Sequence, residues 1–132
     1  MSQVFSADSV NNTGGVTLTL NSVAAGVTGN FLNPPFGNAK AMVLATTRVI
    51  PGNGVTGINL QLVRNPQGDN TVIGSVIAAT VTPGSNYILN ISAADAIPDG
   101  RPVQYQLQVF QTAATGNGSV VYANICALLI SG

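Results

Sequence analysis

The chain has little charge and few groups capable of acid–base chemistry. Only 6% of its 132 residues are charged, as four acids and four bases, and it contains no His, Glu or Trp. Most enzymes place a titratable group beside the reacting atom, and without His a serine or cysteine nucleophile lacks its usual base. The composition therefore predicts a protein that is not an enzyme, with no catalytic residue and no cofactor.

Basic residues do not cluster anywhere in the sequence. They stand singly, at Lys40, Arg48, Arg64 and Arg101. Nucleic acids and anionic lipids are bound by grouped Lys and Arg, and a transmembrane helix needs about 18 or more consecutive apolar residues, a length that no run reaches. We expect neither nucleic acid nor membrane as a partner. The first residues also lack the features of a secretory signal, so either the general secretion route is not used or a leader precedes the sequence.

Cysteine is equally scarce, and Cys126 is the only one. It cannot form an internal disulfide, and it has no His or second Cys with which to bind zinc. Its position within the apolar run 125–128 predicts a small buried core residue. The alternative is an intermolecular disulfide.

The formal net charge of zero bears on association. Dispersed surface charge normally keeps soluble proteins apart. Asn, Thr, Ser, Gln and Gly occupy the places that charged residues usually take. Such a surface is typical of a protein covered by its neighbours, and we expect a homo-oligomer.

Apolar and polar residues alternate with a period of two, as in strands with one buried face. The alternating segments are 16–20, 58–62, 87–91 and 103–109. Three further runs are apolar on both faces and predict central strands covered on both sides, by a second sheet or by a partner chain. They are 41–50, 72–81 and 120–130. A helical period is absent, and residues 93–96 offer one helical turn at most.

Clusters of Gly, Pro, Asn and Asp separate these runs and predict turns. They lie at 33–38, 51–54, 64–70, 83–86, 98–102 and 116–119. Short strands at regular intervals, without helices, favour a β-sandwich or barrel. The sequence predicts an all-β chain that forms a single β-sandwich, a jelly roll of about eight antiparallel strands.

The N-terminal segment, residues 1–13, stands apart from the sandwich domain predicted for residues 14–132. It carries three apolar residues, Val4, Phe5 and Val10, among polar ones and ends at a pair of glycines. One interpretation is an ordinary first edge strand. The functional one is an assembly arm that adds a strand to a neighbouring subunit's sheet, and a frayed end is the third.

The Asp residues are the only carboxylate side chains that could bind a metal. Asp69, Asp95 and Asp99 lie near turns, where carboxylate, amide and carbonyl oxygens can hold calcium. No segment has the twelve-residue pattern of an EF-hand, and Asp and Asn in turns usually bond their own backbone. The sequence predicts no metal site, with these three residues as the calcium candidates.

From residue 55 to residue 130, the order of strands and turns resembles a known group of proteins. The resemblance rests on Arg64-Asn65-Pro66 after a strand, on the alternating strand 103–109 and on the long apolar last strand. It is similar to jelly-roll domains of phage capsid decoration and fibre proteins, of bacterial spore-surface or filament subunits and of trimers related to tumour necrosis factor (TNF) and complement C1q. The resemblance implies a jelly roll without catalytic residues.

Together these features predict a non-enzymatic structural subunit that self-assembles on a particle or filament surface. It would be a capsid-associated or decoration protein of a virion, or an extracellular fibre subunit, so the expected location is the virion surface or an extracellular or cell-surface filament. Besides copies of itself, its expected partner is a capsid or surface scaffold protein. The alternative is a β-sandwich module that binds carbohydrate or a receptor through its polar loops.

Overall fold

Two antiparallel sheets face each other in the computed structural model of this protein. It describes residues 4–12, 16–19, 23–34, 39–68, 70–78, 81–97, 102–112 and 115–131. For residues 4–8, 12, 23–26 and 131 it describes the backbone alone. The described part of the chain contains no helix able to span a lipid bilayer.

Nine strands form within the described residues. They are β1 (Val4–Asn12), β2 (Val16–Leu18), β3 (Val23–Thr28), β4 (Ala39–Ile50), β5 (Gly57–Arg64), β6 (Thr71–Ala78), β7 (Tyr87–Ala96), β8 (Tyr105–Thr112) and β9 (Gly118–Ser131). Sheet I has the order β1-β9-β4-β7, with β2 also paired to β9, and sheet II has the order β3-β8-β5-β6. The predicted all-β sandwich is confirmed, with nine strands where about eight were expected.

The alternation of side chains along the strands builds the core between the two sheets. In β4 and β8, alternate residues are buried along the whole strand, because successive side chains of a strand point to opposite faces. The inward faces of the two sheets pack against each other. The largest fully buried side chains include Tyr105, Leu18, Ile58, Leu60, Leu62, Leu107, Ile125 and Leu129.

The three doubly apolar runs have different outcomes. Runs 41–50 and 120–130 form β4 and β9, the central strands of sheet I, as predicted. Run 72–81 was predicted as a central strand, and this is wrong, because among the described strands β6 pairs with β5 alone and forms an edge of sheet II. Its Val72 and Ile77 side chains are 50% and 67% exposed.

Residues 93–96 are extended and do not form the helical turn that the sequence allowed. They complete β7, and Asp95 pairs with Ala41 of β4. In this register the Asp95 side chain points into the sandwich, where it is 7% exposed. A residue expected near a surface turn therefore lies in the interior.

A buried glutamine joins two of the predicted turns. The Gln111 side chain is 1% exposed; its Oε1 accepts a hydrogen bond from the Gly52 N–H at 3.0 Å, and its Nε2 donates to the Gly116 carbonyl at 2.7 Å. Turns at 51–54 and 83–86 each use a glycine in the left-handed region, Gly54 at φ 74° and Gly84 at φ 79°. These turn predictions are confirmed.

The N-terminal segment pairs with β9 of its own chain. β1 runs antiparallel to β9 from Val4 opposite Ile130 to Asn12 opposite Ala123, and half-buried Val10 packs against the core. In this arrangement the segment is the first edge strand of sheet I. The Val4 and Phe5 side chains lie outside the described residues, and the role of the segment as an assembly arm stays a prediction.

Candidate functional site

The outer face of sheet I carries exposed apolar side chains on two neighbouring strands, β4 and β7. We use this name for the alternate residues of β4 that point away from the core and for their cross-strand partners on β7 and β9. From β4 they are Lys40, Met42, Leu44, Thr46 and Arg48. Their partners are Ala96, Ala94, Ser92, Asn90 and Ile88 on β7, and Ile130, Leu128, Cys126, Asn124 and Tyr122 on β9.

Large apolar side chains are exposed on this face at three positions. Met42, Leu44 and Ile88 are 38%, 47% and 69% exposed, and half-buried Leu128 lies directly across from Met42. Met42, Leu44 and Leu128 are neighbours in this register, whereas Ile88 lies two outward-facing positions of β4 beyond Leu44. Grouped exposed apolar side chains of this kind usually mark an interaction site. The sequence signal was the doubly apolar run 41–50, which predicted a strand covered on both sides. In the part of the chain that the structure describes, only the inner side of β4 is covered.

A polar row crosses the middle of the face and ties its strands together. Asn124 Nδ2 donates to Asn11 Oδ1 at 2.5 Å and to the Val10 carbonyl at 3.1 Å, which links β9 to β1. Thr46 Oγ1 donates to Asn90 Oδ1 at 2.7 Å, which links β4 to β7. Side-chain bonds therefore reinforce the backbone ladder between β9 and β1 and between β4 and β7.

Cys126 lies on this face and not in the core, so the prediction of a buried core residue is wrong. Its side chain is half-buried and unpaired, and its cross-strand neighbours are Leu44 on β4 and Ser9 on β1. The apolar run around it belongs to a strand whose outward positions are also apolar, so sequence pattern alone could not tell the two faces apart. The reactivity of its thiol should therefore depend on whether another molecule covers this face.

Charge is sparse on the outer face of sheet I. The charged side chains described there are Lys40 and Arg48, both exposed. Arg64 instead points into the sandwich from β5 and is 13% exposed.

Three polar side chains meet inside the sandwich and connect the two sheets. Arg64 Nη1 on β5 lies 2.8 Å from Asp95 Oδ1 on β7, and the Tyr105 hydroxyl on β8 donates to Asp95 Oδ2 at 2.7 Å. Both carboxylate oxygens are thus occupied by donors from the opposite sheet. Burying an ion pair is tolerated when such additional bonds complete it, and here the arrangement joins β7 to sheet II.

The environment of Tyr105 predicts a loss of stability in alkali. Burial raises the pKa of the Tyr105 phenol far above its usual value, and its bond to the Asp95 carboxylate raises the pKa further. Above about pH 10 the unfolded chain releases this proton while the folded chain retains it. The free energy of unfolding should therefore fall with rising pH, by about 1.4 kcal/mol per pH unit from this group alone.

Urea unfolding at several pH values between 8 and 11.5 measures that slope, with Tyr105→Phe as the control. The control lacks the hydrogen bond to Asp95 at every pH. Its unfolding free energy should fall less steeply above about pH 10, by about 1.4 kcal/mol per pH unit, because it has no phenol proton to release at this position. Equal slopes for the two proteins would show that the phenol ionises in the folded state.

The calcium candidates are not assembled into a site by the described residues. Asp95 is committed to Arg64 and Tyr105, so a cation would have to displace both. Asp69 and Asp99 lie outside the described residues. Within the described part of the chain, no group of three or more His, Cys, Asp or Glu side chains is placed to hold a metal ion.

Sheet II presents a different outer surface, built from amides. Gln61 Nε2 donates to Gln108 Oε1 at 2.6 Å, Gln108 Nε2 donates to Gln106 Oε1 at 2.8 Å, and Gln106 Nε2 donates to Thr28 Oγ1 at 2.8 Å. This chain of bonds runs across β5, β8 and β3. Its polar groups satisfy one another, which distinguishes this face from the apolar outer face of sheet I.

Comparison with solved structures shows which proteins share this fold. The chain is similar to the TNF-family protein Eiger from S. frugiperda, at 13% identity and a TM-score of 0.62, over 96% of this chain and 92% of that one. It is also similar to the globular domain of zebrafish complement 1qA, at 10% identity and a TM-score of 0.54, over 92% and 94% of the two chains. No protein-family model matches the sequence, and no curated protein matches it either.

A virus structure shares the fold as part of a larger chain. The VP2 subviral particle of infectious bursal disease virus is similar at 7% identity and a TM-score of 0.53, over 98% of this chain and 36% of the viral one. The chain therefore spans about a third of the viral protein. The predicted resemblance to jelly-roll proteins of the capsid and TNF/C1q kinds is confirmed at the level of the fold.

Proposed function

We propose that this protein is a non-enzymatic structural subunit that self-assembles through the outer face of sheet I. The observation that carries the proposal is the exposed apolar surface of Met42 and Leu44 on β4, with Ile88 of β7 also exposed on the far side of the polar row. In water this surface favours burial by about 25 cal/mol for each Å² covered. A second copy of the chain is a suitable cover because its own face presents the same apolar side chains and bears little charge.

The size of the face matches that of a stable interface. β4 is 12 residues long, which corresponds to about 40 Å at about 3.4 Å per residue, and four strands about 4.8 Å apart span about 19 Å. With β1 included as the fourth strand, the outer surface of sheet I therefore covers roughly 760 Å², close to the roughly 800 Å² that each partner contributes to a standard protein interface.

Three further observations support a mechanical role. The chain contains no His or Glu, and the buried carboxylate that the structure describes, Asp95, is held by two donors. With 6% charged residues and no formal net charge, little repulsion opposes association. The shared fold of a chain in a subviral particle supports a location on a virion surface, with an extracellular filament as the other setting.

Light scattering coupled to size-exclusion chromatography tests the proposal on the full chain over a dilution series. We expect a mass of two or more chains at micromolar concentration, with dissociation only on strong dilution. A mass of 13.3 kDa, the single chain, at every concentration up to about 100 µM would overturn self-assembly (a standard interface usually gives a dissociation constant of micromolar or lower).

A further inference from the structure

A groove lies at one end of the outer face of sheet I, beyond the polar row. It has a volume of about 540 Å³ and is lined by Thr46, Arg48, Ile88, Val121 and Tyr122. Pockets for small molecules usually measure about 300–1,000 Å³, with apolar walls and a few polar groups that fix orientation. Ile88, Val121 and the Tyr122 ring supply the walls here, and Arg48 supplies the charge.

A β-bulge in β9 creates this groove. Arg48 pairs with Tyr122, but the next residue of β4, Val49, pairs with Val120, so Val121 is an extra residue in β9. As a result, the buried Val120 is followed by two half-exposed residues in succession before burial resumes at Ala123. Bulges re-aim side chains in this way and are common next to binding sites.

A buried side chain holds the bulge in place. Thr47 is fully buried, and its Oγ1 donates to the Tyr122 carbonyl at 2.9 Å. A bulge disrupts the regular ladder of backbone bonds at this point, and the threonine hydroxyl supplies that carbonyl with a donor. The Thr47 side chain therefore stabilises the bulge from the buried side of the sheet.

The polar groups of the groove favour an anion. Arg48 is exposed, and the ion pair found among the described residues joins Arg64 to Asp95, not Arg48 to any acid. The Thr46 hydroxyl already donates to Asn90 Oδ1, and the Tyr122 hydroxyl donates to Asn11 Oδ1 at 3.2 Å. The guanidinium therefore remains as the strong donor, and its planar fork matches a carboxylate.

We propose that this groove binds a small-molecule carboxylate with an apolar stem. The carboxylate takes two N–H groups of Arg48, and the stem lies along Ile88, Val121 and the ring of Tyr122. This assignment rests on the groove itself and does not require self-assembly. Because the groove opens on the face that we propose for assembly, its occupant would lie at the edge of the contact between subunits.

Residue-resolved NMR titration with octanoate tests the assignment, with 1-octanol as the probe that has the same stem without the charge. The titration uses the full chain carrying Met42→Asp, which disrupts the assembly face six residues along β4 from Arg48, about 20 Å away. We expect octanoate to shift the amide signals of Arg48, Ile88 and Val121, and octanol to bind at least tenfold more weakly. If this variant still oligomerises, the titration uses Leu44→Asp in its place.

Two added substitutions separate the head of the ligand from its stem. Arg48→Gln should weaken octanoate binding at least tenfold and leave octanol unchanged, whereas Ile88→Gln should weaken both. Ile77→Gln, on β6, is the control for an exposed isoleucine and should change neither. The proposal would be overturned by signal shifts centred outside the groove, by equal affinity for the two probes, or by full octanoate affinity in Arg48→Gln. Each of these outcomes counts against it whether or not the wild-type protein self-assembles.

Discussion

Asp95→Asn is expected to lower the free energy of unfolding by about 3–5 kcal/mol, the usual effect of removing one partner of a buried ion pair. Asp95 and Arg64 are 7% and 13% exposed, so the guanidinium would stay inside the sandwich without a counter-charge. The Tyr105 hydroxyl could still donate to the Asn side-chain oxygen, so the loss comes mainly from the charge. Urea unfolding followed by circular dichroism at pH 7 measures the change.

The double variant Arg64→Met/Asp95→Asn is the matched control. It removes both charges and keeps an acceptor for Tyr105, so it should be more stable than Asp95→Asn alone, since a buried pair exchanged for uncharged groups is often close to neutral. A loss below about 1 kcal/mol in the single variant, as for solvent-exposed pairs, would contradict the interior role of Asp95. The interior role would also be contradicted if the losses of unfolding free energy in Arg64→Met and in Asp95→Asn, each measured alone, simply added up to the loss in the double variant.

Leu44→Asp is expected to weaken self-association at least a hundredfold and to leave folding intact. Leu44 is 47% exposed and lies between Ser92 and Cys126 in the middle of the face. Association would bury an unpaired carboxylate there, which costs several kcal/mol, and every 1.4 kcal/mol is a tenfold change in affinity. Light scattering measures the affinity, and urea unfolding checks that the variant is still folded.

Two other variants locate the effect. Ser85→Asp adds the same charge in the exposed turn between β6 and β7, and should assemble like the wild type. Ile77→Asp places it on the apolar edge strand β6, where Ile77 is 67% exposed. Dissociation by Ile77→Asp but not by Leu44→Asp would show that copies join through the free edge of sheet II, which would contradict the proposed face.

The alternation of apolar and polar residues predicted the strands well where one face of the strand is buried and the other is exposed to solvent. The alternating segments 58–62, 87–91 and 103–109 all lie in or next to the strands β5, β7 and β8, because a period of two is inherent in strand geometry. Pattern failed for β6 and Cys126, where apolar residues point outward. An outward apolar residue gives the same sequence signal as an inward one, and only the order of strands in the sheet distinguishes them.

The candidate sites depended on contacts that sequence cannot register. Arg64 and Asp95 are 31 positions apart and lie on different sheets, so their pairing follows from how the sheets stack. The bulge at Val121 follows from the register between β4 and β9, and no local sequence motif predicts that register. What composition did predict is a surface of uncharged polar side chains, such as the amides of Gln61, Gln106 and Gln108.

The reactivity of the Cys126 thiol over a dilution series tests the proposed assembly face most directly. The thiol is the only one in the chain and lies next to Leu44, so a neighbouring copy on this face would shield it. We predict slow reaction with a thiol reagent at concentrations where the protein is assembled, and faster reaction as dilution releases single chains. A rate that is fast and independent of concentration, in samples whose mass shows an oligomer, would contradict assembly through the outer face of sheet I.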